Sequence, residues 1–147
     1  MRSELLQSLQ DPSLGSVDYL GALSHPEVIS LMKQARILIF PSEWYEGFPL
    51  TIAEAFGCGL PILATRFGAM AEIIRDRENG FLFPPGDHKE IANLVTQLWN
   101  DPSELSRIGR NARNEYEQKY TPEHNYEILM DIYSRAIGIR KKQRKFL

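Results

Sequence analysis

Two kinds of hydrophobic pattern alternate along the chain. Short apolar runs bounded by turn residues read as buried parallel strands at Val17 to Ala22, Arg36 to Phe40, Pro61 to Thr65 and Gly80 to Phe83. Other apolar residues recur at helical spacing behind clear start signals. Ser24-His25-Pro26-Glu27 has the S-x-x-E form of a capping box with Pro in the first turn, and it opens the stripe Val28, Leu31, Met32, Ala35. Asp87 with Glu90 repeats the signal ahead of Ile91, Leu94, Val95 and Leu98. Asp101-Pro102 starts a helix through Leu105, Ile108 and Ala112. Thr121-Pro122 starts another, with Tyr126, Leu129, Met130, Tyr133 and Ile137 on one face. The first half is strand-helix alternation and the second half is mostly helix. This predicts an α/β, Rossmann-like domain: a parallel sheet flanked by helices, with a helical C-terminal half.

Composition narrows the function classes. At 147 residues and 43% hydrophobic side chains, the chain has room for one domain with a real core. Lys+Arg is 17 against 19 Asp+Glu, so the net charge of -2 argues against a broad basic face for nucleic acid. No apolar run approaches the ~20 residues of a membrane span, and no signal peptide opens the sequence. Cys58 is the only cysteine, which excludes an intramolecular disulfide and a cysteine zinc site and fits a reducing, cytoplasmic setting. The expected organisation is a poorly defined leader over 1–16, the domain over 17–137 and a basic tail over 138–147. That tail holds five cations between Arg140 and Lys145. Two roles are open for it: a solvated end, or a foot on the anionic inner face of a membrane at roughly 1 kcal/mol per cation.

The stretch from Phe40 to Gly59 carries the candidate chemistry. A buried strand ends near Phe40, a loop follows, and a helix begins around Pro49 or Leu50. Ligands of open α/β sheets bind outside the carboxyl ends of the strands, where this loop must lie. Gly47 lets the backbone approach a ligand closely. The amides of Leu50 and Thr51 fall in the first turn, unpaired and at the positive end of the helix dipole, a ready site for phosphate. Pro49 can shape that turn but cannot donate. Glu46 lies in the loop and Glu54 about one turn inside the helix, eight positions apart. Two readings of the pair are open. Glu46 is a solvated loop residue and Glu54 a helix-dipole partner, or the two flank one ligand and accept hydrogen bonds from its hydroxyls.

With its flanking residues, this stretch resembles the C-terminal domain of the group 1 (family 4) retaining glycosyltransferases, which have the two-domain GT-B architecture. Glu46 and Glu54 match their hallmark of two glutamates separated by seven residues. Phe40-Pro41-Ser42 precedes the pair, Gly47-Phe48 lies inside it, and Glu54-Ala55 is followed by Gly57 and Gly59. Pro61 to Thr65 resembles the next strand, and Gly68 with Glu72 the following G-G-x-x-E loop. Asn79-Gly80 with Pro85-Gly86-Asp87 resembles the last strand and its exit. The similarity runs from about Val17 to about Ile137.

The resemblance implies roles residue by residue. Glu46 would contact the donor sugar near its anomeric centre and steady the positive charge that develops there. Glu54 would bind the ribose hydroxyls, and the turn of Gly47, Phe48, Leu50 and Thr51 would hold the diphosphate and sugar. The substrate would be a nucleotide-diphosphate sugar, with no cofactor and no metal held by an acidic motif. Three departures stand out. No strand ending in G-R, and no Lys after it, precedes Val17; no N-terminal acceptor domain is present; and Ala69 replaces the usual second Gly. The expectation is an N-terminally truncated donor-binding domain, inactive without its other half. The alternative is a non-enzymatic nucleotide-binding or interaction module on the same fold. In a doubly wound sheet of order 3-2-1-4-5-6, the strand at Val17 would be the third, and strands one and two would be missing. The edge at Arg36 to Phe40 would then stay open unless Val17 to Ala22 or another chain covers it. The apolar stripe of the last helix makes a similar demand, so self-association or a separate partner chain is expected.

The remaining polar and aromatic candidates have ordinary explanations. His25, His88 and His124 each lie in or beside a first helical turn, where capping or surface roles suffice. Cys58 reads as a small buried residue. Trp99, at a helix end, reads as core. Trp44 and Tyr45 either shape the sugar pocket, serve packing or are plainly exposed.

Overall fold

Three short parallel strands form the centre of the chain, in the order β1-β2-β3. The computed structural model describes residues 17–143. In chain order its elements are α1 (His25–Gln34), β1 (Leu38–Phe40), α2 (Leu50–Gly57), β2 (Ile62–Thr65), α3 (Gly68–Ile73), β3 (Phe81–Phe83), α4 (His88–Trp99), α5 (Pro102–Lys119) and α6 (Pro122–Gln143). Leu38 pairs beside Ile62 and Phe40 beside Ala64; Leu63 pairs beside Phe81 and Thr65 beside Phe83.

Strands β2 and β3 are covered on both faces, which is why their sequences are unbroken apolar runs. On one face Ile62, Ala64 and Leu82 meet Ile52 and Phe56 of α2, Met70 of α3 and Ala112 of α5. On the other, Leu63, Phe81 and Phe83 meet Leu94 and Leu98 of α4 and Leu105 and Ile108 of α5. Helix α5 thus contributes to both cores. A third, smaller cluster of Met32, Ala55 and Leu60 pins α1 against α2.

Side-chain volume sets two of the close approaches. A Cβ on Gly80 would come within 2.9 Å of both Ile62 Cγ2 and Ile74 Cγ2. One on Gly109 of α5 would run into the carbonyl oxygen of Gly59. Glycine at these places lets β3 and α5 lie against their neighbours.

The helix starts follow their caps. The Asp87 carboxylate accepts from Glu90 N–H at 2.9 Å, and that of Asp101 accepts from Glu104 N–H at 3.0 Å. Thr121 Oγ1 accepts from His124 N–H at 3.2 Å. Each satisfies an amide that has no partner inside its own helix.

Several expectations are corrected. Residues 17–22 form no strand, and Val17, Tyr19 and Leu20 are exposed. A strand is stabilised by its neighbours, and among the described residues none pairs with this segment or with the outer edge of β1. Trp99 is 55% exposed rather than core; the Arg36 guanidinium stacks 4.1 Å from its ring centroid. Cys58 is only half-buried, beside the Met32–Ala55–Leu60 cluster, and burial pushes its thiol pKa up. The short helix α3 was not anticipated. Helix α6 runs past Ile137 to Gln143, and Tyr126, Leu129, Met130, Tyr133 and Ile137 are all exposed. The leader over 1–16 and the side chains from Arg140 onward lie outside the described residues.

Candidate functional site

The loop from Phe40 crosses the carboxyl edge of the sheet and delivers the chain to α2 at Leu50. Pro49 is the buried N-cap, and its carbonyl accepts from Ile52 N–H at 3.0 Å. No side chain caps this end, so the amides of Leu50 and Thr51 have no intrahelical acceptor and point toward the loop. The helix is anchored by one face: Ile52, Ala53, Ala55 and Phe56 are buried. The Phe48 ring meets Tyr120 at 5.5 Å between centroids, and Tyr120 in turn meets Phe56 at 6.5 Å. These aromatic contacts tie the start of α2 to the end of α5.

The outer face of α2 carries the polar chemistry. Glu54 stands there with its side chain 28% exposed, and its Oε1 lies 3.0 Å from His25 Nε2. Leu50 and Glu54 line an open groove of about 410 Å³ with His25, Lys33, Arg113 and Tyr120. Arg113 is oriented by Glu117 at 2.8 Å and donates to the Gly57 carbonyl at the end of α2. The groove therefore sets one carboxylate among cationic and aromatic side chains. A neighbouring groove of about 480 Å³ is lined by Phe48, Leu50, Ala53, Lys119, Tyr120 and Asn125.

The other expected site residues are placed differently. Glu46 is exposed in the loop and lines neither groove. Gly47 has open space around it: an added Cβ would meet nothing within 4 Å. Thr51 is half-buried, and Phe48 and Leu50 are exposed at the mouth of the second groove. Glu54 and the first turn of α2 are thus gathered, while Glu46 stands apart on its loop. Trp44 and Tyr45 are 81% and 84% exposed; the Tyr45 ring rests against Phe67 at 4.4 Å between centroids. The buried Thr65 hydroxyl, at the carboxyl end of β2, has no hydrogen-bond partner among the described residues. Nor do three or more His, Cys, Asp or Glu side chains gather there to hold a metal ion.

Sequence reasoning missed the surroundings of Glu54. His25 reads as a first-turn residue, and its contact with Glu54 spans 29 positions with no local signal. Lys33, Arg113 and Tyr120 are likewise brought to the groove only by packing. Among the described residues, no helix is long and apolar enough to cross a membrane.

Comparison with known proteins places the chain in a family. Residues 5–115 match the family of glycosyl transferases group 1. The chain is 34% identical over 119 residues to an MMP alpha-(1->4)-mannosyltransferase of Mycolicibacterium hassiacum, covering 80% of this chain and 29% of that protein. Among solved structures, the sucrose-phosphate synthase of Thermosynechococcus elongatus superposes with a TM-score of 0.85 at 26% identity, covering 94% of this chain and 35% of that one. HepE of Anabaena, solved in complex with UDP, superposes with a TM-score of 0.81 at 28% identity, covering 90% of this chain and 36% of that one. The chain thus spans about a third of the length of these relatives. The fold is that of the GT-B glycosyltransferases, and the chain belongs to the group 1 glycosyl transferases.

Proposed function

We propose that this chain is the donor side of a retaining glycosyl transfer site and takes a nucleotide-diphosphate sugar. The observation that carries the reading is the position of Glu54. It lies one turn inside a helix whose first amides are unpaired, and it faces a groove large enough for part of a nucleotide. HepE, solved with UDP and with UDP-glucose, supports the same class of ligand.

In this reading the Leu50 and Thr51 amides take up the negative charge of the diphosphate, which grows as the bond to the anomeric carbon breaks. Glu54 accepts hydrogen bonds from the ribose hydroxyls. Glu46, on its exposed loop, reaches the sugar ring and steadies the positive charge left at the anomeric carbon. Its separation from the groove fits this division, because the sugar lies beyond the diphosphate from the ribose. The acceptor side comes from a second domain, so the chain alone binds donor without transferring sugar.

Thermal unfolding with UDP, GDP, ADP and inorganic phosphate tests the reading. One of the nucleotides should raise the melting temperature well above the effect of phosphate. Ligand at ~100 times its dissociation constant stabilises by about 2.7 kcal/mol. Glu54→Ala should remove most of that gain. A full shift in the variant would take Glu54 out of the site.

A further inference from the structure

Where α1 begins, a side chain outside this proposed donor machinery touches Glu54. His25 is the first residue of α1, and its Nε2 lies 3.0 Å from Glu54 Oε1. An ionised carboxylate can only accept, so Nε2 carries the proton and His25 is the donor whether its ring is neutral or charged.

Both ends of this contact are held. The Glu27 carboxylate accepts from Ser24 N–H at 2.8 Å, which fixes the first turn of α1. Met32, further along α1, is buried against Ala55 and Leu60, which sets the distance between α1 and α2. Lys33 and Arg113 line the same groove, yet among the described residues only His25 comes within hydrogen-bonding or ion-pairing distance of the Glu54 carboxylate. Glu54 Oε2 has no hydrogen-bond partner among those residues.

We propose that His25 is a positioning residue for Glu54 and thereby sets a preference for ribose over deoxyribose. By engaging Oε1 it holds the carboxylate in one rotamer. Oε2 and the second lone pair of Oε1 then face the groove, set to accept from the two hydroxyls of a cis-diol. A 2′-deoxyribose offers one of those hydroxyls and wastes half of the arrangement. Without His25 the carboxylate can turn to follow a single hydroxyl, and the two sugars become more alike. The inference rests on the reading of Glu54 as the ribose acceptor.

The test compares binding of UDP and 2′-deoxy-UDP, with the GDP and ADP pairs alongside, by calorimetry on the full chain. Wild type, His25→Ala, His25→Gln and Glu54→Gln are measured. Wild type should favour the ribonucleotide by roughly tenfold or more, the scale of one hydrogen bond to a charged group. His25→Ala should lose most of that preference. His25→Gln, whose amide nitrogen can reach the same oxygen, should restore it. His25 is mostly exposed, so the free variants should melt with the wild type; His25→Leu replaces an unstable Ala variant. An unchanged preference in His25→Ala, lost in Glu54→Gln, overturns the positioning role while keeping Glu54 as ribose acceptor. A preference that survives in Glu54→Gln, or no binding of any of the nucleotides, overturns the ribose reading and this inference with it.

Discussion

The Thr65 hydroxyl is the least comfortable polar atom in the core: 1% residue exposure and no partner among the described residues. Burying a hydroxyl without a hydrogen bond costs free energy that an isosteric methyl does not. Thr65→Val should therefore raise unfolding stability by about 1 kcal/mol in urea titration. A loss instead would mean that the hydroxyl is paired in solution. Gly109 tests the opposite limit. Its missing Cβ leaves room for the Gly59 carbonyl, which is backbone and has little freedom to retreat. Gly109→Ala should cost about 1–3 kcal/mol by the same titration, as an overpacked contact does.

At the scale of elements, α5 is tied to the turn before β3 by a buried charge. Glu115 is 6% exposed at its side chain, with Arg75 at 2.8 Å and Lys119 at 2.7 Å. The hydrogen bond from Arg75, with that from Lys119 behind it, holds the Glu115 pKa below its ordinary value of 4.5 against the opposing effect of burial. A lowered carboxylate pKa stabilises the fold above the ordinary value and ceases to do so as pH falls through the folded-state value. Glu115→Gln should lower stability by about 1–3 kcal/mol at neutral pH. It should also flatten the loss of stability below about pH 4.5, as read from melting temperature against pH. Elements whose causes are local were legible in the sequence. The carboxylate caps at Asp87 and Asp101, the apolar runs of β2 and β3, and the start of α2 all depend on residues within a few positions. Residues 17–22 were misread because an apolar run becomes a strand only beside another strand. Trp99 was misread because its cover, Arg36, comes from 63 positions away. The candidate site divides in the same way. The order of Glu46, the loop and Glu54 is written along the chain, whereas His25 reaches Glu54, and Lys33 and Arg113 reach its groove, only through the packing of α1 and α5.

For the whole molecule, the uncovered surface of α6 is the main unsatisfied demand. Leu129, Tyr133 and Ile137 lie along one face at 42%, 55% and 57% exposure. An apolar face of that length favours association over solvation. Sedimentation across a concentration series should show mass rising with concentration, and the double variant Leu129→Lys with Tyr133→Lys should stay monomeric with an unchanged melting temperature. The opposite end of the helical half has a different consequence. Because α5 braces α2 from behind, through Tyr116 against Gly57 and Gly109 against Gly59, small changes on α5 should move the helix that carries Glu54. A mutational library aimed at new donor preferences would then find useful variants at 109 and 112, positions outside the groove that holds Glu54. Restricting such a search to the loop and groove would leave the supporting lever unexplored.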